Sequence, residues 1–211
     1  MLSIDSAYKY LAKNGSETLI FCLLLALVGF IPVFGGLLIT GLLIRIISNT
    51  INKKEGIPKV FGNMEEDLMN GLKLSVFHII AMIPFAILMI WSFFSARNTD
   101  LGIFSMIAAL MLPITILTIT YWIIIPPLIA NFAKKKKFSA FFEMGKMFKA
   151  VFSNFGLYLK YVGICVLYSI AVFAISVALS FTVIIPLLGT SLMLLVSARL
   201  LGEWHVDAIK K

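Results

Sequence analysis

Few residues of this chain could do chemistry, and they form three sets. Arg45 and Arg199 are lone charges in long apolar runs, and each lies thirteen residues after an Ile-Pro pair, at Pro32 and Pro186. Thirteen helical residues span about 20 Å, so on equivalent helices the two arginines would reach one depth. Two guanidiniums at one depth could frame an anion, a lipid headgroup or a substrate phosphate or carboxylate, because Arg grips both in a two-pronged way. The competing account is that each arginine snorkels and anchors its own helix end. The second set is basic: Lys134, Lys135, Lys136 and Lys137 in a row, then Lys146 and Lys149. Lysines flanking apolar runs suit anionic lipid headgroups. The third is His78, an ionisable group inside an apolar run and so a ligand candidate by default.

The chemistry of catalysis is missing from the pattern. The spans, as read from the sequence, hold no acid. His78 and His205 have no Cys, Asp or Glu at metal-ligand spacing inside the bilayer, and no glycine loop is built to cradle phosphate. Cys22 and Cys165 both lie in apolar runs and read as small buried hydrophobes. The expectation is a non-enzyme with no catalytic residue, cofactor or metal.

The elements that must position these residues are membrane helices. Of 211 residues 61% are hydrophobic and only 13% charged, where soluble domains average roughly 45–50% and about 25%. The net charge of +8 sits in short loops beside apolar runs, which fits the positive-inside rule and leaves no basic domain for nucleic acid. Residues 1–17 suit a surface helix; a signal peptide would need a small-x-small cleavage site that does not follow. Thr18 to Ile47 breaks at Pro32 and Gly35-Gly36 into a hairpin, whose first arm either borrows residues from Leu11 onward or is re-entrant. Val60, Phe61, Met64, Leu68 and Leu72 recur at helical spacing opposite Asn63, Glu66, Asn70 and Lys73. They form an amphipathic interfacial helix or an extension of the next span. Leu74 to Ala96 is a clean span. Leu101 to Ala133 is one long helix kinked by Pro113 and Pro126-Pro127. Phe141, Met144, Phe148, Val151, Phe152 and Phe155 form the stripe of a second amphipathic helix, which either presses into the leaflet or packs after a plain stop signal. The uncharged run from Lys160 to Arg199 holds two spans that turn near Pro186 and Gly189, and a polar tail follows from Glu203.

The expected architecture is an all-α integral membrane protein. It has about six transmembrane helices, including two Pro/Gly-broken hairpins, plus two amphipathic interfacial helices. It is one transmembrane domain over 1–211, with a weak repeat of 1–100 in 101–211. Both termini are expected to be cytoplasmic in the cell membrane, since Arg97 is then the one basic residue outside.

Four segments carry a resemblance. Gly41-Leu42-Leu43-Ile44-Arg45-Ile46-Ile47-Ser48-Asn49, then Ile57-Pro58, then Leu68-Met69-Asn70-Gly71-Leu72-Lys73 resemble the domain of unknown function 4013 family of small prokaryotic, often archaeal, polytopic membrane proteins. Leu195 to Gly202 is similar to that family's last span. The chain departs from the tryptophan-rich acidic stretch usual after Ile-Pro, having Val60 and Phe61 there. The resemblance implies an architecture and no mechanism. Two readings follow from the residues. One is a membrane scaffold or partner subunit that binds anionic lipid at the cytoplasmic leaflet, alone, as a homo-oligomer or with a membrane-protein partner. The alternative is a small transporter or permease for an anionic or small polar solute.

Overall fold

The computed structural model describes residues 3–54, 56–97, 103–178 and 184–209. Within them the chain is helical, without a strand, as expected for an all-α membrane protein. Asn98, Thr99 and Asp100 of the short loop after the first clean span, and Lys210 and Lys211, lie outside the described residues.

A short helix, α1 (Ile4–Lys13), leads into α2 (Gly15–Gly29), with Asn14 between them. The first arm of the hairpin therefore does not borrow from Leu11; it is a separate helix of 15 residues. Pro32 makes the turn, and Phe34 N–H donates to the Pro32 carbonyl at 2.6 Å across Val33, whose φ is 60°. A β-branched residue at positive φ is strained, so the surrounding packing must hold this bend. That packing is visible at Gly35, in the first turn of α3 (Phe34–Ile51), where any Cβ would collide with the Val28 carbonyl of α2.

The amphipathic stretch around Met64 is no helix of its own. It opens α4 (Met64–Arg97), a continuous helix of 34 residues, so the extension reading is the one observed. Its faces are mixed: Val60 just before it is buried and Leu68 half-buried, and Asn63 and Glu66 stay exposed. Phe61, just before it, and Met64 and Leu72 are exposed, while Asp67 and Asn70 are buried. In a bilayer the apolar stripe faces lipid, and polar groups turn inward to find partners.

The long uncharged run splits at Ile124 into α5 (Ile103–Ile123) and α6 (Ile125–Lys135), with the proline pair in α6's first turn. Proline has no N–H, so Pro126 and Pro127 leave the carbonyls of Trp122 and Ile123 without their helical donors. The buried Tyr158 hydroxyl takes both up, at 2.6 and 3.3 Å. A Tyr158→Phe change should cost about 1 kcal/mol in detergent-unfolding titrations. It should also loosen the α5–α6 joint, read as faster cysteine labelling of probes placed at Ile124.

A 3₁₀ turn (Phe138–Phe142) and α7 (Met144–Ser153) follow, then α8 (Phe155–Ala178) and α9 (Ile184–Ile209). Pro186 and Gly189, near which the second hairpin is expected to turn, lie inside the first turns of α9; residues 179–183, between α8 and α9, lie outside the described residues. Proline is tolerated in a first helical turn because the N–H it lacks would have no partner there. The tail expected from Glu203 is also helix, and its Trp204, His205 and Ala208 are core residues.

Among the described residues, five helices are long and apolar enough to cross a membrane, counting α5 and α6 as one; α2 is shorter. Half of α3's most apolar residues and 44% of α9's are buried, against 11% for α4 and 17% for α8. The second arms of the two hairpins, with the buried α6 packed against them, are thus the centre of the bundle, and α4 and α8 face outward over most of their length. The two central helices run parallel. Ile39 lines one cleft with Leu187, Thr190 and Leu194, and ten residues further on Gly202 abuts Thr50 and Ile47.

Candidate functional site

Because α3 and α9 are in step, Arg45 and Arg199 arrive at one level, where α1, the α3–α4 loop and the start of α4 meet. Their side chains then take different partners. Arg45 is buried, with one guanidinium nitrogen 2.9 Å from the carboxylate of Asp67 and 2.6 Å from the Lys59 carbonyl. Arg199 lies over the Tyr10 ring, 3.9 Å from its centroid, and 3.3 Å from Glu203 one turn along α9. Tyr10 in turn donates from its hydroxyl to the Gly56 carbonyl at 3.1 Å. Burial raises the ionisation of that hydroxyl above its ordinary range, with Arg199 opposing. One arginine directly and the other through Tyr10 therefore brace the same loop, the first at Lys59 and the second at Gly56.

Asp67 is the residue that the sequence did not single out. It is an acid fully buried in α4, in the amphipathic stretch before Leu74 that continues into the span as one helix. The local packing explains how it reaches Arg45. A Cβ on Gly41 would collide with the Asp67 carbonyl, and one on Gly71 with the Leu37 carbonyl. These two glycines bring the α3 and α4 backbones into direct contact, as small residues do between membrane helices. The antiparallel register that results, Leu37 on Gly71 and Gly41 on Asp67, sets Arg45 one turn further, against the loop. The signal in the sequence was a shared spacing: Gly41 and Arg45, and Asp67 and Gly71, each four residues apart and so on one helix face.

The lysines form a second feature, at the same end of the bundle. Lys134 and Lys135 lie in the last turn of α6, where cations complement the helix dipole. Lys136 ends the helix in the left-handed conformation at φ 57°. Lys135 pairs with Glu143 at 2.5 Å, and Lys136 with Glu66 at 3.1 Å. The Lys135 ammonium, helped by the Asn131 amide, holds the Glu143 carboxyl below its usual ionisation range. Lys134, Lys137, Lys146 and Lys149 are exposed. Phe141 does not face the leaflet as its place in the stripe suggested. It is buried in a ring stack, 4.3 Å from both Phe77 and Phe132. The outward aromatics of this segment are Phe142, Phe152 and Phe155.

His78 is half-buried between α4 and α5, stacked on Tyr121 at 6.0 Å, and stands apart from the arginines and lysines. His205 is buried close to the lysine face, beside Trp204, which itself packs edge-on to Tyr158 at 5.1 Å. Two clefts are open to the surroundings. One, of about 460 Å³, lies between α2 and residues 57–62 of the α3–α4 loop. The other, of about 420 Å³, is an almost wholly apolar groove between α2, α8 and α9.

No curated protein and no solved structure matches this chain. A family model does, over residues 24–184, which takes in α3 through α8 and with them Arg45, Asp67, both packing glycines and the lysine face. The chain therefore belongs to the family described as Protein of unknown function (DUF4013).

Proposed function

We propose that the protein is a non-catalytic membrane component, a scaffold or partner subunit, whose basic end binds anionic lipid at the cytoplasmic leaflet of the cell membrane. The observation that carries this reading is the division of labour among the lysines. Lys135 and Lys136 are tied to Glu143 and Glu66 and so hold the α6–α7 segment to the bundle. Lys134, Lys137, Lys146 and Lys149 are left to project from it, next to the exposed Phe142 and Phe152. Cations alternating with aromatics at a membrane boundary suit headgroups and upper acyl chains together. Cytoplasmic termini support the same placement, since they put seventeen of the eighteen basic residues on the inner side. The apolar lining of the clefts favours lipid over a polar solute, and so this reading over a permease.

The test compares two multiple variants by native mass spectrometry of protein extracted from a membrane containing phosphatidylglycerol. Each lysine near an anionic leaflet contributes about 1 kcal/mol. Changing Lys134, Lys137, Lys146 and Lys149 together to Gln should strip most bound anionic lipid. Changing Lys135 and Lys136 to Gln should leave the lipid in place but lower stability. Equal retention by wild type and the fourfold variant would overturn the proposal.

A further inference from the structure

The cleft between α2 and the α3–α4 loop differs in kind from the lysine face. Its walls are α2, through Glu17, Ile20, Phe21 and Leu24, and the loop from Ile57 to Gly62. The loop wall is held in place from three sides. Arg45 holds the Lys59 carbonyl, Tyr10 holds the Gly56 carbonyl, and Val60 is buried in the core. A cavity of about 460 Å³ with a fixed rim is of the size that binds small ligands in a preformed site. Its charged lining residues are one acid, Glu17, and one base, Lys59, both exposed; the rest is apolar, with Ile20 and Phe61 more than half exposed.

The length of α2 indicates what covers that apolar lining. Fifteen residues make about 22 Å of helix, against a hydrocarbon core of about 30 Å. Local thinning of the bilayer accommodates so short a helix, and it brings a headgroup in to the level of Glu17, at the helix's start. The occupant must then satisfy one carboxylate and one ammonium at the same mouth. An anionic headgroup meets Lys59 but is repelled by Glu17. A zwitterionic headgroup meets both, and a primary amine can donate hydrogen bonds to Glu17 that a quaternary one cannot.

We propose that this cleft holds one phosphatidylethanolamine-type lipid. Its ammonium lies at Glu17, its phosphate at Lys59, and its upper acyl chains lie against Ile20, Phe21, Leu24 and Phe61. The site is distinct from the lysine face and does not depend on it.

The experiment is a titration of delipidated full-length protein with short-chain phosphatidylethanolamine, phosphatidylcholine and phosphatidylglycerol, read by native mass spectrometry. Wild type should prefer the primary amine over choline by about tenfold, the worth of a hydrogen bond to a charged group. Glu17→Gln should erase that preference, and Lys59→Gln should weaken both zwitterionic lipids alike. The fourfold lysine variant should keep the preference, which separates this site from the lysine face. Equal binding of ethanolamine and choline lipids to wild type would overturn the proposal, and that comparison needs no variant to fold. Retention of the preference in Glu17→Gln would also overturn it, as would full competition by soluble phosphoethanolamine, since the acyl contacts would then contribute nothing.

Discussion

Replacing Asp67 with leucine is expected to cost about 3–5 kcal/mol, because it leaves the buried Arg45 guanidinium with no counter-charge. Arg45→Met alone should be comparably severe, since it strands a carboxylate that is fully buried and frees the loop at Lys59. The two changes together should recover much of the loss. Desolvating both ions costs about as much as their attraction returns, so a well-packed apolar pair often substitutes without harm. A double-mutant cycle measured by unfolding in detergent tests this directly. If the double variant is as unstable as the sum of the singles, the two side chains are not coupled, and the ion pair at 2.9 Å is a coincidence of packing. If it is nearly as stable as wild type but loses its loop-dependent lipid, then the pair serves the loop rather than the fold.

The second large effect is expected at Gly41 and Gly71. Even alanine there would drive a methyl group into a backbone carbonyl of the facing helix, and backbone cannot rotate away as a side chain can. Overpacking typically costs 1–3 kcal/mol, occasionally more, and these sites should lie at or above the top of that range. Gly41→Ala should also pull Asp67 away from Arg45, so its cost and that of Asp67→Leu should be far from additive. Gly36, Gly145 and Gly163 provide the control, since a Cβ at those positions meets nothing within 4 Å. Alanine there should be neutral or slightly stabilising in a helix. Equal losses at Gly41 and Gly36 would refute the close α3–α4 contact.

Arg45 was legible in the sequence because a single charge in an apolar run stands out, and a charge in lipid must have a purpose. Asp67 was not, because it follows Glu65 and Glu66, and three consecutive acids look like one solvated face. Only the register fixed by two glycines decides that the third acid turns inward while the first two stay exposed. The break at Pro126-Pro127 could be predicted from backbone chemistry alone, whereas the tyrosine that satisfies the freed carbonyls lies more than thirty residues away. The tail was misjudged for a similar reason. Glu203 and Asp207 made the segment from Glu203 look solvated, but a helix presents different residues to its two sides, and Trp204 and His205 occupy the inner one. The lysine tract showed where the charge would be and not which lysines would be free, because that depends on Glu66 arriving from another helix.

The central position of α3 and α9 has a consequence for biosynthesis. The two helices begin 150 residues apart in the chain, so α3 must enter the membrane long before its partner exists. Its α4 face can close at once, through Gly41, Gly71 and the Arg45–Asp67 pair. Its other face, where Gly202 will seat against Thr50, stays open through the synthesis of three further long helical segments. During that interval the nascent protein offers the face of Ile39, Ile47 and Thr50 to whatever else is in the membrane. The centre is thus completed only when α9 has been made. A nascent chain halted after α8 is therefore the form most exposed to insertion chaperones and quality-control proteases.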